Sequence, residues 1–137
     1  MALPRGIRNN NPLNIRKGNN WKGEKKVQVD KAFEEFESMQ MGLRAGFIIL
    51  RNYQRTSLAP KMRANTIRKI INRWAPASEN NTLRYIDLVA KRSGLNPDEL
   101  IAYRDKPRML AVVEAMCFVE CGQAIDKDII SSAYDLT

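Results

Sequence analysis

Three observations predict a mainly α chain with one small β-element near its start. The stretch Met109 to Gly122, M-L-A-V-V-E-A-M-C-F-V-E-C-G, is apolar on nearly every side, the pattern of a helix buried all round. Ile67, Ile70, Ile71 and Trp74 recur at i, i+3, i+4 and i+7, one face of an amphipathic helix. Strand-like alternation is confined to Trp21–Phe36, where Val27 and Val29 flank Gln28, and predicts a short hairpin. With 137 residues, 44% of them apolar, the chain is expected to form one domain over residues 1–137 with a real core.

Residues 1–20 hold six asparagines with Gly and Pro, which is loop chemistry. Ile7, Leu13 and Ile15 are spaced to anchor that loop on the core. After the expected hairpin, Ser38 caps a helix to about Arg55, with Leu43, Phe47 and Leu50 as its stripe. Gly42 and Gly46 leave that helix a shallow face where another element can approach. Asn65 or Thr66 starts the next helix, and Pro76 ends it. A polar loop then leads to a helix over Thr82–Ser93, with Leu83, Ile86, Val89 and Ala90 inward and Gly94 as its stop. Asn96-Pro97 predicts a short helix to about Ala102. Asp105-Lys106-Pro107 opens the central helix, which Gly122 closes. A last helix spans about Asp126–Asp135, with Ile129, Ile130 and Ala133 inward.

Composition narrows the chemistry. The net charge of +8 suits a polyanion: nucleic acid, an anionic lipid face or a bacterial cell wall. The sequence contains no histidine, which removes His-based triads, HExxH zinc sites and a histidine general base. Carboxylates are the main acid–base groups left. Cys117 and Cys121 lie four apart without further ligands, so no metal site or cofactor is expected. They read as small core residues in a reducing compartment. No apolar run reaches the length of a membrane span, and Met1–Arg5 has no signal-peptide core. The expectation is a product made in the cytoplasm.

Glu114 and Glu120 interrupt the central helix. Glu120 stands at its end, half in the core, where a carboxyl can keep its proton near neutral pH. The alternative is a helix-end carboxylate paired with Lys or Arg. Glu114 reads as a partner to an Arg.

Arg5-Gly6-Ile7-Arg8-Asn9-Asn10-Asn11-Pro12-Leu13-Asn14-Ile15 resembles the opening of a family of small phage and prophage proteins, often described as structural or virion proteins. Further matches follow in order: Trp21-x-Gly23, Asp30-x-x-Phe33-x-x-Phe36, Gly42-x-Arg44-Ala45, Asn72-Arg73-Trp74-Ala75-Pro76, Glu79-Asn80-x-Thr82-x-x-Tyr85 and Glu120-x-Gly122. Leu13, where the family usually has Gly, implies that no positive φ is needed there. Cys121 replaces a usual Asn. A more distant resemblance is to lysozyme-like cell-wall glucosaminidases. In those, a helix ending in an L-E-S-G-like motif precedes an Asn-rich segment, W-x-G and a hairpin. Here Val119-Glu120-Cys121-Gly122 comes last, which implies a circular permutation of a lysozyme-like domain.

The resemblance implies a peptidoglycan hydrolase cleaving the glycan backbone as a muramidase, an N-acetylglucosaminidase or a lytic transglycosylase. Glu120 is then the acid, and Asp30 and Tyr85 are the expected catalytic partners. Asn9, Asn10, Asn11 and Asn14 bind sugar or hold the loop. Trp21, Trp74, Glu79 and Asn80 complete the expected substrate groove. Core packing is the competing role for both tryptophans, and a turn for Asp30. The expected partners are peptidoglycan strands and other virion proteins, with action at the cell wall. A rival reading is a non-catalytic virion or wall-binding protein of the same fold. Nucleic-acid binding is the weakest of the three.

Overall fold

In a computed structural model describing residues 3–78 and 80–137, the chain is mainly helical. The described residues form helices α1 (Arg5–Arg8), α2 (Met39–Asn52), α3 (Ile67–Trp74), α4 (Thr82–Ser93), α5 (Lys106–Cys121) and α6 (Lys127–Asp135), with a 3-10 turn at Pro60–Met62. Helix α5 is the hub: it packs against α1, α4 and α6, while α2 packs on α6 and α3 on α4. Met109, Val112, Val113, Ala115, Met116 and Cys117 are fully buried in the shared core. Both cysteines are free and buried.

Side-chain caps set the helix starts. Ser38 Oγ accepts from the Met41 amide, Thr66 Oγ1 from Lys69, and the Asn81 and Asp105 side chains from Arg84 and Arg108. Each satisfies a donor with no partner inside its helix. Gly94 (φ 74°) and Gly122 (φ 72°) end α4 and α5 in the left-handed conformation that glycine adopts without strain.

The glycine face of α2 is covered by the Asn-rich loop. A Cβ on Gly42 would lie 1.9 Å from the Asn10 carbonyl oxygen, and one on Gly46 would lie 2.2 Å from Leu13 Cδ1. Leu13 and Ile15 are buried, so the loop is anchored through the positions the sequence marked. Positive φ among the described non-glycine residues falls at Asn10 and Asn14 (53° each), not at Leu13. Asparagine tolerates that conformation better than branched residues do.

The expected hairpin is replaced by an irregular lobe. Among the described residues no strand forms; there are two isolated antiparallel bridges, Arg16 with Phe33 and Glu24 with Phe36. Val27 and Val29 are both 77% exposed, so their alternation has no buried face to serve. Side chains do the pairing instead. Asn11 Nδ2 donates to the carbonyls of Ile15 and Glu34, and its Oδ1 accepts from the Ile15 amide, all at 2.9 Å. Gln28 Nε2 donates to the carbonyls of Lys25 and Glu35, and Glu35 Oε2 accepts from the amides of Val29 and Asp30.

Three further expectations are corrected. Residues 96–102 form a turn rather than a short helix, because the Ile101 amide donates outward to the Asn65 carbonyl and Asn96 Oδ1 accepts locally from Asp98. Leu83 is 73% exposed and faces away from the core. Ile129 is 37% exposed, so Ile130 and Ala133 carry the inner face of α6.

Candidate functional site

Glu120 lies in the last turn of α5, one residue before the helix ends, and is half-buried. Two side chains from distant parts of the chain meet its carboxylate. Tyr85 Oη, from α4, donates to Oε2 at 2.9 Å. Asn14 Nδ2, from the N-terminal loop, donates to Oε1 at 3.1 Å and to the Glu120 carbonyl oxygen at 3.3 Å. Asn14 thus satisfies a helix-end carbonyl and fixes the carboxylate with one amide. Burial, then the adjacent Glu120 charge, pushes the Tyr85 phenol far above its ordinary value, so Tyr85 remains a hydroxyl donor.

Glu120 faces a groove of about 320 Å³. Leu13, Ile49, Phe33, Tyr53, Trp74 and Ala75 supply apolar and aromatic wall, while Asn14, Arg16 and Asn80 add polar groups. The Arg16 guanidinium lies over the Phe33 ring, 5.4 Å from its centroid, and Arg73 lies over Tyr53 at 4.9 Å. An apolar and aromatic wall with a few placed polar groups is the usual lining of a small-ligand site. Glu120 is the one carboxylate among the described groove residues.

The structure brings Glu120, Tyr85, Asn14, Trp74 and Asn80 to this place and puts other expected site residues elsewhere. Asp30 is a turn residue: its Oδ1 accepts from the amides of Ala32 (2.9 Å) and Phe33 (3.0 Å), and its Oδ2 accepts from Asn9 Nδ2 (3.1 Å). Arg5 adds an ion pair at 3.4 Å. The Ala32 amide above all, then Asn9, Phe33 and Arg5, hold its carboxyl at about 2. A carboxylate so occupied is a poor base, and it does not line the groove. Of the two roles expected for Asp30, these contacts are those of the turn residue. The Asn9 side chain holds the Asp30 carboxylate, and those of Asn10 and Asn11 hold backbone. Asn9 and Asn11 are buried, and Asn10 Nδ2 donates to the Phe36 carbonyl at 3.1 Å. Trp21 packs against the core outside the groove. Glu79 lies outside the described residues. Glu114 takes its expected Arg partner: Arg92 Nε and Nη2 each donate to its carboxylate at 2.9 Å.

Phe33, Tyr53 and Arg16 were not singled out as groove residues from the sequence. Phe33 stood within a matching motif, but nothing in its spacing separates a wall aromatic from a core one. Tyr53 follows the end of α2 and meets the groove where Arg73 of α3 lies over its ring.

No protein-family model matches the chain. It is 42% identical over 122 residues to Protein P5 of Pseudoalteromonas phage PM2, an alignment covering 86% of this chain and 71% of that protein. An ordered similarity over most of both chains carries shared ancestry with it, and the chain belongs to the phage protein family of Protein P5.

Proposed function

We propose that the protein is a peptidoglycan-cleaving component of a phage particle, with Glu120 as the acid that protonates the leaving glycosidic oxygen. The observation that carries this reading is the Tyr85–Glu120–Asn14 constellation at the edge of an aromatic groove. Glycoside cleavage needs a positioned acid at the scissile bond. A hydroxyl can donate or accept, whereas an amide N–H only donates. When Glu120 carries a proton, Asn14 keeps Oε1 as an acceptor and the proton resides on Oε2, where Tyr85 can accept it until a glycosidic oxygen takes its place. Trp74 offers a ring face to a sugar, while the Phe33 ring is taken up by the Arg5 and Arg16 guanidiniums. A lysozyme-like arrangement with the acid-bearing helix moved to the end of the chain accounts for the meeting of Glu120 with the Asn-rich loop.

The phage origin of the relative supports a particle component that must cross a cell wall. It equally suits a particle protein that grips glycan without cutting it. Digestion of purified peptidoglycan separates the two. Wild type is expected to release soluble fragments, and Glu120→Gln to lose about 10²- to 10⁴-fold in rate, the usual share of a general acid. Mass spectrometry of the fragments then reports which bond is cut and whether the ends are reducing or anhydro. Absence of cleavage by the wild type, or equal cleavage by both proteins, refutes the catalytic reading.

A further inference from the structure

Among the described residues, two charged side chains line the groove: Glu120 and Arg16. Arg16 is exposed and forms no ion pair among the described residues. Its backbone is pinned. It bridges Phe33, and on either side the Lys17 amide donates to the Ala32 carbonyl and the Glu34 amide to the Ile15 carbonyl, both at 3.0 Å. The Arg16 guanidinium lies over the Phe33 ring, and Arg5 lies over the same ring at 4.8 Å. Arg5 has Asp30 as counter-ion at 3.4 Å, whereas Arg16 has no such neighbour. A ring face attracts the charge but offers no oxygen to its five N–H donors. The neighbouring cations are engaged: Lys17 Nζ donates to Gln28 Oε1 at 2.8 Å, and Arg73 lies over Tyr53 and donates to the Met62 carbonyl. Arg16 is thus a positioned guanidinium without a counter-ion, in a groove whose other charge is a carboxylate.

We propose that Arg16 binds a carboxylate carried by the ligand, so that the groove takes an acidic glycan rather than a neutral one. The proposal rests on the reading of the groove as a glycan site. A planar guanidinium fork matches a carboxylate in two parallel hydrogen bonds. Cell-wall glycan supplies that group on the lactyl ether of each muramic acid, free or extended by a peptide that carries carboxylates of its own. Neutral strands of N-acetylglucosamine have none. The two charges of the groove also orient the strand: ionised Glu120 repels an acidic substituent and Arg16 attracts it. Arg16 follows Asn14 by two residues, at most about 7 Å along the chain, and Asn14 holds Glu120. The acidic substituent is therefore held close to the bond presented to Glu120. The part played by Arg16 is in binding, not in proton transfer.

The test measures binding by the full chain carrying Glu120→Gln, so that strands are not cut. Salt at about 0.15 M screens the long-range pull of the net charge of +8. The probes are wall glycan strands stripped of peptide by an amidase, and the same strands with their lactyl carboxylates converted to methylamides. The acidic strands are expected to bind about 10-fold tighter, the usual share of a hydrogen bond to a charged group. Arg16→Gln should remove that preference while binding the methylamide strands as before, which reports an intact groove. Arg16→Lys should keep part of the preference, as a point charge without the fork. Lys26→Gln, an equal loss of charge on the exposed lobe, should keep all of it. Equal affinity for the two strands overturns the role of Arg16 and leaves the glycan reading standing, as does a preference that survives Arg16→Gln or is lost equally in Lys26→Gln. Failure to bind either strand overturns both.

Discussion

Gly42→Ala tests whether the Asn-rich loop is seated on α2 as described. On an exposed helix this change is stabilising, by about 1 kcal/mol of helix propensity. Here the new Cβ would lie 1.9 Å from the Asn10 carbonyl oxygen, and separations under 3.0 Å are essentially never seen for real Cβ atoms. The obstacle is backbone, so no side chain can swing aside. The loop must retreat by about 1 Å, within a core packed densely enough that overpacking costs roughly 1–3 kcal/mol. Retreat also strains the Asn10 bond to the Phe36 carbonyl and the Phe36 amide bond to Asn9, each worth about 1 kcal/mol. Set against the propensity gain, the expected net loss is about 2 kcal/mol, read as a lowered urea midpoint at unchanged slope. Asn14, four residues on, should lose its hold on Glu120, and a 1 Å misplacement in a catalytic constellation costs up to about 10²-fold in rate. A variant as stable as wild type, or more stable, would refute the seating of the loop on the glycine face.

Other expectations follow from the site and the lobe. Tyr85→Phe keeps the ring and removes one donor to Glu120. It should leave the fold intact and slow glycan cleavage by roughly 10-fold, in line with about 1.5 kcal/mol for a hydrogen bond to a charged group; unchanged kinetics would remove Tyr85 from the machinery. Asp30, held at about 2 against an ordinary 3.8, contributes stability that is complete above pH 3.8 and lost as pH falls through about 2. Asp30→Asn should flatten that acid limb in a series of thermal melts. Glu34 acts in the opposite sense: burial first, and then Glu24, raise its carboxyl to about 7 from 4.5. The stability linked to it should be full below pH 4.5 and should drain as pH rises through about 7, and Glu34→Gln should abolish that slope.

The helices were legible because their determinants are local. Ser38, Thr66 and Asp105 cap within three residues of themselves, and Gly94 and Gly122 stop the helices they directly follow. The lobe was not legible, because its pairing runs through the side chains of Asn11, Gln28 and Glu35. A side-chain amide reaching a carbonyl 23 positions away leaves no periodicity in the sequence. The valines that do alternate, Val27 and Val29, sit on the surface. The site divided along the same line. Glu120 was visible as an acid at the end of an apolar helix, and Tyr85 and Asn14 as members of ordered motifs, but their meeting is a product of α4 and the loop converging on α5. The two roles open to Asp30, turn and catalyst, share one local signature, and only the fold shows its carboxylate taken up by the Ala32 and Phe33 amides.

The bond between Asn14 and Glu120 spans 106 positions of sequence. Closing so long a loop is entropically costly and slow relative to forming any single helix. The three-residue constellation therefore cannot exist in a fragment or in a half-formed intermediate that holds only α2 to α4. It arises when the early loop, α4 and the end of α5 are all in place, late in the chain's own assembly. The arrangement around Glu120 is then a property of the completed fold alone, and any separation of the early loop from the end of α5 dissolves it.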